Sequence, residues 1–171
     1  SKGIEDYLGA ANVLAESNPK ILFHIIGEIG DAASRNLIQT YIEKPNIRYH
    51  GVLHGDDKYA IMHASDIMVF PPRGKEGQPM VLLEGMAAEL AIITTPMGGI
   101  VDTVSAETAI IIEPGNPELI AMHILALYEN PERMRTMARR AHRRYEMLFT
   151  EQCMIANIEN LLNTVLVEKK G

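Results

Sequence analysis

The sequence predicts an α/β fold, a doubly wound parallel sheet with helices on both faces. Three observations carry this reading. Short apolar runs of four to six residues alternate with helical patterns along the whole chain, the pattern of repeated βαβ units. The runs are rich in Ile, Val and Phe, as expected of strands buried from both sides. A length of 171 residues with 47% hydrophobic content allows one domain, residues 1–171, with a proper core.

Each element has its own local reason. Residues 4–16 place Ile4, Leu8, Ala11 and Ala15 at helical spacing, with Val13 and Leu14 widening the apolar face. The run Ile21-Leu22-Phe23-His24-Ile25-Ile26 then reads as a strand stopped by Gly27. A polar helix over 31–43 ends at Lys44-Pro45, because the residue before a proline resists the α region. Residues 47–50 form a second strand closed by Gly51, and 56–64 a short helix. Asp66-Ile67-Met68-Val69-Phe70 is a third strand, stopped by Pro71-Pro72. A helix over 79–89, strands over 91–95 and 109–112, and helix from Pro117 to about the C-terminus complete the order. In such folds ligands gather beyond the carboxyl ends of the strands, which singles out the loops 27–31, 71–78 and 96–99.

Composition narrows the function classes. A net charge of −6 argues against binding a phosphate backbone non-specifically, which needs a basic face; no nucleic-acid partner is expected. One cysteine, Cys153, excludes an internal disulfide framework and suits a reducing compartment. No apolar run is long enough to span a bilayer, and the N-terminus lacks the pattern of a signal peptide. The expected location is cytoplasmic.

The helix over 79–89 carries the most chemistry. Proline is favoured at a first helical position, and Gly74 and Gly77 upstream allow a close backbone approach to a ligand. The amides of Met80, Val81 and Leu82 are then expected to be open, and with the helix dipole they suit a phosphate group. Apart from Glu84 the helix is apolar all round, which marks it as buried. A carboxylate there needs a partner: an Arg or a neighbouring backbone on the structural reading, a ligand on the functional one. Gly85 beside it points to close packing or close ligand approach. Glu76, alone, reads as a solvated loop residue. Together the two carboxylates flank a helix start, an arrangement suited to a molecule with a phosphate in its middle and hydroxyls at both ends.

The segment Glu76-Gly77-Gln78-Pro79-Met80-Val81-Leu82-Leu83-Glu84-Gly85-Met86-Ala87 resembles the E-x7-E signature of the retaining glycosyltransferases of GT-B fold. Other stretches are similar to that family's landmarks in the same order: Lys2-Gly3, Asp66 to Pro71, Thr95-Pro96-Met97-Gly98-Gly99, Pro114-Gly115-Asn116-Pro117-Glu118 and Asn130-Pro131-Glu132-Arg133. The resemblance implies a Rossmann-like donor domain, with a nucleotide-diphosphate sugar as donor substrate and no metal or cofactor. It implies that Glu84 accepts from the ribose and that Glu76 is the catalytic-site residue holding sugar hydroxyls, beside Gly77, Gln78 and Pro79. Lys2, with the helix start at Met80 and Val81, would neutralise the diphosphate, and Gly51 and Val52 would lie near the base. It further implies an N-terminal acceptor domain that this chain does not contain, and a sheet lacking the family's first strand.

Two local departures stand out. Ala88-Glu89-Leu90-Ala91 replaces the family's x-G-x-P, and Pro72 replaces its usual Ser. Other signals are read as structural. His24, His50 and His54 flank strands, and no histidine group has metal-ligand spacing. The stretch holding Arg133, Arg135, Arg139, Arg140, Arg143 and Arg144 reads as a solvated helix face; its alternative is peripheral contact with an anionic membrane. Gly27-Glu28-Ile29-Gly30 is not the dinucleotide fingerprint, which counts against a dehydrogenase. A nucleotide-sugar epimerase of the same fold, or a purely binding fragment, are the competing functions.

Overall fold

The computed structural model describes residues 2–28, 30 and 32–168; Ile29 and Asp31, within the first of the three candidate loops, lie outside them. In chain order the elements are α1 (Ile4–Ser17), β1 (Phe23–Ile25), α2 (Ala32–Ile42), β2 (Ile47–Tyr49), α3 (Gly55–His63), β3 (Ile67–Phe70), α4 (Met80–Ala87) and β4 (Ala91–Thr94). They continue with α5 (Ile100–Thr103), β5 (Ala109–Ile111), α6 (Pro117–Tyr128), α7 (Pro131–Leu148) and α8 (Glu151–Glu168). Every strand pair is parallel. The strands form two sheets, β1-β2 and β3-β4-β5. A cavity of about 260 Å³ lies where the two sheets meet, lined by Phe23 and His24 of β1, Ile67 and Val69 of β3, and Tyr7 and Ile124.

β4 shows why the sheet is wound on both faces. Its side chains alternate: Ala91 and Ile93 join a core with Leu8, Phe23, Ile47, Ile120 and Leu127. Ile92 joins the opposite core with Leu82, Met86, Ile100 and Ala109. All four of its residues are buried, which is why the run contains no polar alternation. Gly85 has the packing explanation: a Cβ there would stand 2.3 Å from Met68 Sδ on β3.

The structure corrects several expected elements. Helix from Pro117 onward is three helices. The break at Asn130-Pro131 follows from capping: the Asn130 side chain accepts from Arg133 N at 3.0 Å and Pro131 opens the next helix. The short α5 was not expected. The helix expected over 79–89 begins at Met80, so Pro79 is its N-cap and not its first residue. It ends where Glu89 takes a left-handed φ of 56°, and Leu90 N then bonds Gly85 O at 3.0 Å. Along α7, Arg135 and Arg139 pair with Glu132 of their own helix, and Arg133, Arg140 and Arg143 are exposed. Arg144 differs: its guanidinium donates to Thr103 O and Asp102 O and so fastens α7 to α5.

Candidate functional site

The loop from 71 to 79 is held from three sides by backbone contacts. Gly3, at φ +81°, lies so close to Pro71 that a Cβ would be 1.9 Å from its carbonyl oxygen. Gly98, at φ +59°, stands equally close to Glu76, at 2.0 Å, and Gly99 N donates to Glu76 O at 3.0 Å. Thr95, fully buried at the end of β4, donates from Oγ1 to Pro72 O at 2.7 Å. The turn over 96–99 and the start of α1 thus close on the loop that carries Glu76.

A buried charge adds a fourth tie. Asp6, in the first turn of α1, is 1% exposed. Arg73 of the loop meets it with two bonds, Nε to Oδ2 at 2.9 Å and Nη2 to Oδ1 at 2.5 Å. Gly115 N donates to Oδ2 at 3.1 Å. This fork geometry suits guanidinium and carboxylate, and the bond to Asp6 raises the Arg73 pKa above its ordinary value.

Within that frame the two glutamates stand apart, each with its own lysine. Lys2 Nζ donates to both carboxylate oxygens of Glu76 at 2.7 Å; the glutamate side chain is 12% exposed and the lysine 69%. Glu84, on α4, accepts from Lys58 Nζ of α3 at 2.7 Å, both side chains being 23% exposed. The bond to Glu84 is the main cause that raises the Lys58 pKa. Of the three amides expected to be open, Leu82 N is bonded to Pro79 O at 3.0 Å, a correction to the expected set. Met80 and Val81 remain as open donors among the described residues. Gly77 and Gln78 are exposed, whereas Pro79 is buried.

Gly51 and Val52 sit in the loop between β2 and α3. Gly27 N donates to Gly51 O at 2.8 Å, which joins two of the loops beyond the strands. No hydrogen bond or ion pair joins Gly51 or Val52 to either glutamate among the described residues. The link runs through α3, which starts after this loop and carries Lys58. His24 Nδ1 and His50 Nε2 are 2.9 Å apart, their rings stacked. Burial, then His50 and Arg48, lower the His24 pKa below the ordinary histidine value. Among the described residues no group of three or more His, Cys, Asp or Glu stands together to hold a metal. A groove of about 340 Å³ runs along α4 on the Glu84 side, lined by Tyr59, Met80, Leu83, Tyr145 and Phe149.

The family model of the glycosyl transferases group 1 matches residues 1–144. The chain belongs to that family. A capsular polysaccharide biosynthesis glycosyltransferase (CapM) of Staphylococcus aureus is 27% identical over 99% of this chain and 45% of its own length. The chain spans about half the length of the curated relatives that it matches over nearly its whole extent. The fold matches the C-terminal domain of a group 1 glycosyl transferase (LpcC) from Francisella tularensis, with a TM-score of 0.78 at 21% identity over 88% of this chain and 80% of that one. It also matches Anabaena Alr3699/HepE, solved with UDP-glucose, with a TM-score of 0.83 at 19% identity over 95% of this chain and 45% of that one. The α/β fold with parallel sheets therefore matches the C-terminal domain of GT-B glycosyltransferases, as the sequence resemblance implied.

Sequence reasoning missed Lys58, Asp6 and Arg73. The partners are 26 and 67 residues apart, and nothing local marks either pair. One weak signal existed: α4 is so apolar that the partner of Glu84 had to come from another element. The structural alternative named an Arg; the partner is a Lys.

Proposed function

We propose that this group 1 chain binds a nucleotide-diphosphate sugar across the start of α4. In the whole protein the sugar is then transferred to an acceptor hydroxyl with retention at the anomeric carbon, the acceptor being held by a further, N-terminal domain. The observation that carries the reading is the split of charges. Two carboxylates, on Glu76 and Glu84, lie either side of a helix start whose Met80 and Val81 amides are open.

The pairing of Lys2 with Glu76 supports the assignment of roles, since the two satisfy each other. A donor offers both of them a substitute: the diphosphate for the ammonium, and sugar hydroxyls for the carboxylate. As the bond from the anomeric carbon to the diphosphate breaks, negative charge grows on the leaving diphosphate. Lys2 and the α4 dipole stabilise that charge. Glu84 accepts from the ribose hydroxyls, Gly77 to Pro79 line the sugar, and Gly51 and Val52 border the base. No metal is needed in this scheme, because cation and dipole meet the diphosphate charge.

Thermal unfolding with uridine, guanosine and adenosine diphosphates tests it. A ligand at about a hundred times its Kd adds about 2.7 kcal/mol of stability, and one of the three should do so. Glu84→Ala should cut the gain to about half, as a roughly tenfold weaker Kd requires. No response to any nucleotide, or an unchanged response in Glu84→Ala, would overturn the assignment. Product analysis with and without an acceptor alcohol separates transfer from epimerisation.

A further inference from the structure

We infer that Lys58 is a positioning residue that sets Glu84 at the angle from which its second carboxylate oxygen reads the ribose hydroxyls of a nucleoside diphosphate. The inference rests on the ribose role proposed above for Glu84. Lys58 Nζ bonds Oε1 at 2.7 Å, and Oε2 has no hydrogen-bond partner among the described residues. The helical neighbours of Glu84 are Met80, Val81, Ala87 and Ala88, none of which carries a side-chain donor. Lys58 is therefore the hydrogen-bond donor that, among the described residues, holds one orientation of a side chain with several rotamers.

Lys58 is itself restrained. Its ammonium lies 4.8 Å from the Tyr59 ring centroid, a distance at which cation and ring attract. At 23% exposure for both side chains, the pair is less screened than a surface ion pair. α3 begins directly after the loop of Gly51 and Val52, so one short segment supplies both the base-side loop and the cation that aims Glu84. A carboxylate held in this way presents one fixed acceptor to a vicinal diol, and fixed acceptors discriminate better than mobile ones.

The test compares uridine, guanosine and adenosine diphosphates with their 2′,3′-dideoxy counterparts by calorimetry, in wild type, Lys58→Met, Lys58→Arg and Glu84→Ala. The readout is the ratio of dideoxy to ribose Kd. For the nucleotide that binds, a wild-type ratio of about tenfold or more is expected, the size of one hydrogen bond to a charged group. Lys58→Met should bring the ratio towards one while leaving dideoxy affinity in place, and Lys58→Arg should restore most of it. General loosening would instead weaken both ligands alike and keep the ratio, which would overturn the inference. A ratio that collapses in Glu84→Ala but holds in Lys58→Met would reject the Lys58 role alone. A ratio near one in wild type, or one unmoved by Glu84→Ala, would reject the ribose role of Glu84 and this inference with it.

Discussion

The glycines of the two halves of the molecule behave differently. Around β3-β4-β5, Gly3, Gly98 and Gly99 lie against backbone carbonyls that leave no room for a side chain. Around β1-β2, Gly27 and Gly51 also have positive φ but nothing within 4 Å of a built Cβ. Gly3, Gly98 and Gly99 serve close approach, whereas Gly27 and Gly51, like Gly115 after β5, serve only for turning. The half that carries Glu76 and α4 is thus fixed by backbone packing, and the half bordering the proposed base site is held by three-residue strands. A rigid half suits the proposed grip on diphosphate and sugar, where geometry decides chemistry.

Substitutions can break this contrast. The largest effect is expected for Gly98→Ala, which combines a left-handed φ with a backbone clash: about 3 kcal/mol lost in denaturant unfolding. Arg73→Met should follow at about 2 kcal/mol, since among the described residues it leaves the buried Asp6 carboxylate with the Gly115 amide alone; the half-exposed state of Arg73 keeps this below the loss for a fully buried pair. Gly51→Ala should cost about 1 kcal/mol, the backbone strain alone. A Gly51 loss equal to that of Gly98 would erase the distinction between the halves.

Smaller effects sharpen it. Glu89→Gly should stabilise by about 0.5–1 kcal/mol, because Glu89 ends α4 in the left-handed region that glycine enters freely. The β1-β2 half should also be sensitive to pH. The His24 pKa is lowered in the fold, so below about 6.5 the unfolded chain takes up a proton that folded His24 resists. This contribution is present at higher pH and is lost as pH falls through that range. His24→Gln should make the decline between about pH 7.5 and pH 5.5 shallower; an equally steep decline would remove His24 as its cause.

Much of the fold was legible because strands buried on both faces leave long apolar runs, as at Ile92 and Ile93. The E-x7-E stretch was legible too, since a carboxylate in an apolar helix stands out. The division into two sheets left no trace in the pattern, because pairing across a sheet is not local. The break at Asn130-Pro131 did carry a signal, a capping Asn followed by Pro, and continuous periodicity obscured it. Lys58 and the Asp6–Arg73 tie were hidden for a different reason: each depends on where separate elements come to rest.

In the proposed site the two glutamates divide one donor between them. Calorimetric titration of UDP-glucose and GDP-mannose, each against its parent diphosphate, tests this in Glu76→Ala and Glu84→Ala. Glu76→Ala should reduce affinity for the nucleotide sugar to that of the diphosphate, whereas Glu84→Ala should weaken both together. Equal losses for sugar and diphosphate in both variants would contradict it.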